Sequence, residues 1–126
     1  MVTAAAPAAL AALPVEDPVL PIYRQWTEAR ESLGRMLDTD PDAAETAETA
    51  ESVVHRAEED KAFWALTKMT PTSMAGIAAM THVLWTVAGP QFLEGTDSYA
   101  DEIEEPENVL MAAIWRCASG KTGVPA

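Results

Sequence analysis

Apolar residues in this chain recur at intervals of three and four, and prolines break that rhythm at a few points. Such spacing lines one face of an α-helix, whereas a half-buried strand alternates with period two. No segment shows period-two alternation between hairpin signals. The prediction is therefore all-α: about four helices in a small bundle, with mobile N-terminal and C-terminal tails.

The first helix is predicted to start at Asp17-Pro18, with a further proline at Pro21. Proline is tolerated in a first turn because its missing N–H has no intrahelical partner there. Val19, Ile22, Trp26, Ala29, Leu33 and Met36 form its stripe, Gly34 weakens it slightly, and its end falls near Leu37. Asp38-Thr39-Asp40-Pro41 starts the next helix, with Asp40 as N-cap and with Asp42 and Glu45 at the positive end of the dipole. Residues 41–69 read as one long helix. Its first half, with the ETA-ETA-ESV triplets and the small stripe Ala47, Ala50, Val54 and Ala57, is expected to be the more exposed; Phe63, Trp64, Leu66 and Met69 load the second half.

Thr70-Pro71-Thr72-Ser73 caps a third helix, Met74 to Ala88, which Gly89-Pro90 stops. Met74, Ile77, Met80, Val83, Leu84, Trp85 and Val87 make it apolar nearly all round, which predicts burial on several faces. Gly76, Ala75, Ala78 and Ala79 form a small patch that lets a neighbouring backbone come close. Residues 70–93 hold no Asp, Glu, Lys or Arg, but Thr70, Thr72, Ser73, Thr81, His82 and Thr86 interrupt the run, so a core helix is expected and not a membrane span. Residues 94–107 read as an acidic loop with one helical turn around Ser98–Ile103. Pro106 starts the last helix, with Val109, Leu110, Ala113, Ile114 and Cys117 as its apolar side and Ser119-Gly120 as its stop. The domain reading is a disordered Ala/Pro-rich tail over 1–16, one helical domain over 17–120 and a frayed tail over 121–126. The opening apolar run has no Lys or Arg before it, unlike a signal peptide, so it reads first as a mobile tail and second as a processed leader.

Each predicted helix carries one of the four tryptophans, Trp26, Trp64, Trp85 and Trp115. They are expected as core knobs where helices meet; the alternative is an aromatic-lined groove.

With 20 Asp+Glu against 8 Lys+Arg the net charge is −12, and the basic residues are scattered. That disfavours binding nucleic acid through its phosphates, or anionic lipid. The single Cys117 forms no internal disulfide, which fits a reducing compartment and predicts a cytoplasmic protein.

Few residues suggest chemistry. His55 stands four residues from both Glu51 and Glu59, half of a possible helical metal site, but no Glu-x-x-His or H-E-x-x-H accompanies it. A solvated His among ion-pair neighbours is the expectation. His82 reads as a core histidine, and Cys117 as a small hydrophobe and not a nucleophile with His82 as base. No catalytic residue, metal or cofactor is expected. The acids Glu94, Asp97, Asp101, Glu102, Glu104, Glu105 and Glu107 are either a solvated connector or a docking patch for a partner with a basic surface. Joined by Asp38, Asp40, Asp42, Glu45, Glu48 and Glu51, they would imitate a row of phosphates.

Two segments, DPVLPIYRQWTEARESL (17–33) and TPTSMAGIAAMTHVLW (70–85), resemble small helical proteins of unknown function from proteobacteria and their prophages. The resemblance implies a bacterial or phage origin and no activity. The leading expectation is a non-enzymatic protein-interaction domain, able also to form a homo-oligomer. The alternatives are a phage-type inhibitor that mimics nucleic-acid phosphates, and a metal-binding or enzymatic protein using His55, His82 or Cys117.

Overall fold

The computed structural model describes residues 15–39 and 49–126. Five helices run in order among them: α1 (Val19–Thr39), α2 (Ala50–Leu66), α3 (Met74–Ala88), α4 (Asp97–Glu102) and α5 (Pro106–Ser119). No strand occurs among the described residues. The all-α expectation holds, with the acidic segment's single turn forming α4. The Ala/Pro segment before residue 15 and the Asp40-Pro41 start lie outside the described residues.

The expected continuous helix over 41–69 is interrupted at Thr49 and ends at Leu66, and residues 41–48 lie outside the described residues. Thr49 is extended at φ −75° and ψ 158°, and its hydroxyl accepts from Ser52 N, so the helix starts at Ala50. A hydroxyl that satisfies a free first-turn amide is a start signal as strong as the upstream proline. The other end turns at Thr67, whose amide donates to the Phe63 and Ala65 carbonyls.

The main packing pairs are α1 with α2, α3 with α5, and α1 with α3. The central cluster is Val19 and Trp26 from α1, Ala62 and Leu66 from α2, and Ala79 and Val83 from α3. Trp26, 1% exposed, is its largest member. Its ring stands edge-on to His82 at 5.4 Å and stacks against Tyr23 at 6.0 Å, with the Arg30 guanidinium 5.0 Å above it. Arg30 also pairs with Glu59 of α2 at 2.8 Å, which closes the α1–α2 side.

A buried carboxylate ties the start of α1 to the start of α3. Asp17 accepts from Val19 N at 3.0 Å, Thr72 N at 2.8 Å and Ser73 Oγ at 2.7 Å, and Ser73 Oγ in turn accepts from Gly76 N. The aspartate that sequence reading assigned to a local helix start thus also holds a loop 55 residues away.

Three expectations about burial need correction. Trp26, Trp85 and Trp115 are buried, but Trp64 is 62% exposed and meets only the flank of Phe63 at 5.2 Å in ring contact. α3 is not buried all round, since Met74, Leu84 and Val87 are exposed. Most consequentially, α5 is turned over. It buries Asn108, Ala112 and Trp115, while Val109, Leu110, Ala113, Ile114 and Cys117, its predicted apolar side, are exposed. The indole decides the orientation: Trp115 covers more area than any single aliphatic, Ala112 lets the backbones approach, and Asn108 Nδ2 donates to the Glu102 carbonyl at 2.8 Å. After Gly120 (φ 71°) the residues expected to fray fold back. Arg116 Nη1 donates to the Gly123 carbonyl, Lys121 lies over the Trp115 ring, and Pro125 is buried.

Candidate docking surface

The acidic segment is built around α4. Thr96 caps that helix, accepting from Tyr99 N at 3.2 Å and donating to the Leu93 carbonyl at 2.7 Å. Glu102 turns back and its carboxylate accepts from Gln91 N at 3.0 Å and Phe92 N at 2.8 Å. It therefore holds the loop after α3 and is not a free member of the patch. Glu94 faces Tyr99; burial first, then the Glu94 charge and hydrogen bond, push the phenol above its ordinary value of 10.0. Asp97, Asp101, Glu104, Glu105 and Glu107 remain exposed.

The acids converge at the elbow between α4 and α5. Glu105 is the N-cap residue of α5 but makes no side-chain cap bond. Its carboxyl is raised above 4.5, by loss of solvent first and then by the Glu107 charge and hydrogen bond and the Glu102 charge. Like charges crowded together disfavour ionisation, so this elbow is a place where a positive group would be welcomed. Of the other acids weighed as phosphate mimics, Asp38 is exposed, Glu51 stands 3.7 Å from His55, and Asp40, Asp42, Glu45 and Glu48 lie outside the described residues.

Directly after the elbow comes the outward face of α5. Leu110 and Ile114, one turn apart, are 63% and 52% exposed. A second apolar surface opens between the end of α2 and α3, a groove of about 370 Å³ lined by Phe63, Leu66, Pro71, Ile77, Met80 and Leu84 among others. Sequence periodicity found Leu84, Leu110 and Ile114 but assigned them to the interior, whereas Leu66 is buried in the central cluster as expected.

His55 stands 3.7 Å from both Glu51 and Glu58, while Glu59, the predicted second flank, pairs with Arg30. No group of three or more His, Cys, Asp or Glu that suits a metal ion comes together among the described residues. His82 is half-buried, its Nδ1 2.7 Å from Tyr23 Oη. Cys117 is exposed on the outer face of α5, and among the described residues no hydrogen bond joins it to His82. No helix of the described residues is long and apolar enough to cross a membrane.

His82 should show itself in the pH dependence of stability. Burial, and then the positive charges of Arg30 and Lys121, hold its pKa below the ordinary 6.5. The unfolded imidazole binds its proton first as pH falls. Stability is therefore complete above 6.5 and declines as pH drops towards the folded value. Between about pH 7 and about pH 5 the melting temperature of the protein should fall more steeply than that of His82→Gln. Parallel melting curves for the two would remove His82 as the cause.

In comparisons with protein-family models, curated proteins and solved structures, nothing matches the chain.

Proposed function

We propose that this chain is a non-enzymatic interaction domain that binds a protein partner through the elbow before α5 and the outer face of α5. The observation that carries the reading is the orientation of that helix: an uncharged apolar stripe points outward, immediately beside crowded carboxylates. Exposed apolar surface rimmed by charge is the usual composition of a contact face. The carboxylates favour a partner with a basic surface and speed its approach. The lone, exposed Cys117 suits a cytoplasmic setting.

The inhibitor reading asks for a continuous row of carboxylates. Glu102 is engaged with loop amides and Glu94 with Tyr99, which favours the elbow-and-stripe reading. For the metal-binding or enzymatic reading through His55, His82 or Cys117, His82 pairs with Tyr23, His55 stands beside Glu51 and Cys117 is exposed.

The test compares proteins retained from a native lysate by the full chain and by a Glu104→Gln, Glu105→Gln, Glu107→Gln variant, each at low and high salt. The wild type should retain a band that high salt releases and the variant does not hold. Identical retention by the two proteins would sink the proposal.

A further inference from the structure

The geometry points to a second copy of this chain as the occupant of the outer face of α5, the two α5 helices packing antiparallel about a two-fold axis near Leu110. The inference rests on the reading of that face as a docking surface.

α5 is two-sided. α5 buries Trp115 and Ala112 mainly against α3, yet Val109, Leu110, Ala113, Ile114 and Cys117 lie on the other side without a charge among them. It has apolar surface for two neighbours and packs principally on one.

Charge is distributed unevenly along α5. Acids precede the helix and begin it, at Glu104, Glu105 and Glu107, whereas Arg116 ends it and Lys121 follows. These two are the basic residues of everything after Lys68. Glu105 and Arg116 are about three helical turns apart, so they stand on the same edge of the stripe at opposite ends. A two-fold axis perpendicular to the helix returns each edge to itself with its ends exchanged. Glu105 of one copy then lies beside Arg116 of the other, and the contact occurs twice. A parallel arrangement would set acids against acids. The crowded elbow thereby receives a positive group, which the described residues of its own chain do not place there.

Two short helices meeting face to face bury less than the roughly 1,200 Å² at which stable interfaces begin, so a reversible dimer of micromolar affinity is the expectation. In this register the two Leu110 side chains meet near the axis, while the two Cys117 residues lie about 20 Å apart along the helix direction.

Sedimentation equilibrium of the full chain at fixed salt, over a wide concentration range, is the experiment. A monomer–dimer equilibrium is expected. Ile114→Asp and Arg116→Glu should each weaken it about tenfold or more, with the helical circular dichroism retained. Glu105→Arg should do the same, and Glu105→Arg/Arg116→Glu should restore it to within about threefold of wild type, a recovery that loss of folding cannot imitate. Under mild oxidation Leu110→Cys in a Cys117→Ser background should form a disulfide dimer, and the wild type should not. A monomer at every concentration, growth past the dimer, cross-linking through Cys117 or no recovery in the double charge reversal would each overturn the inference. A monomer that still retains a salt-released band from lysate would overturn the self-pairing alone and leave the docking face standing.

Discussion

Gly76→Ala should destabilise this protein by about 2–3 kcal/mol, the opposite of what the substitution does in an open helix. In a helix interior alanine is better than glycine by about 1 kcal/mol. Gly76 lies in the first turn of α3 with the Asp17 carboxylate directly over it. An added Cβ would run into Asp17 Oδ2, lie 2.8 Å from its Cγ and 3.0 Å from Pro71 Cβ. Asp17 cannot step aside, because it is held by Val19 N, Thr72 N and Ser73 Oγ. The melting temperature should fall by roughly 10–15 °C. Asp17→Ala removes the obstruction, so Gly76→Ala should do much less harm in that background, and a double-mutant cycle measures the coupling. A Gly76→Ala protein as stable as wild type would contradict the packing of Asp17.

The same clasp predicts an acid limb. Burial by itself raises the Asp17 carboxyl, but the hydrogen bonds from Val19 N, the Ser73 hydroxyl, and the Thr72 and Ser73 amides outweigh it and hold the pKa below 3.8. The stabilisation is thus fully present above 3.8 and disappears as pH falls through the lower folded value. Wild type should exceed Asp17→Asn in stability near neutrality and lose that advantage in the acid limb.

The second large effect separates two tryptophans that the sequence treats alike. Trp26→Ala should cost about 3–5 kcal/mol, because the indole is the largest fully buried side chain of the cluster and its removal leaves a cavity there. Trp64→Ala, at an exposed ring, should shift stability by about 0.5–1 kcal/mol at most. Urea unfolding of both variants decides the matter; similar losses would mean that Trp64 packs as tightly as Trp26.

Sequence reading recovered the fold class because helical periodicity and proline breaks are local properties. The stripe Val19–Trp26–Ala29 faces inward as its spacing implies, and Gly120 stops α5 in the left-handed conformation that the terminal glycine foretold. It misplaced what depends on how many neighbours a helix has. α5 has apolar residues on two sides, and nothing local says that Trp115 will prevail over Leu110 and Ile114. The same holds for Trp64, whose position within α2 resembles a core position until the location of α3 is known. Of the seven acids, Glu102 departs from the expected patch because its hydrogen bonds to Gln91 and Phe92 depend on a chain reversal that residue types alone do not specify.

The central cluster draws its members from α1, α2 and α3, and α5 contributes none of them. Cooperativity is therefore graded along the chain: the carboxy-terminal helix can lift from its single main support while the three-helix nucleus stays shut. Amide deuteration should reach the α5 backbone well before that of α1, and any partner that clamps α5 would slow its exchange without touching the nucleus.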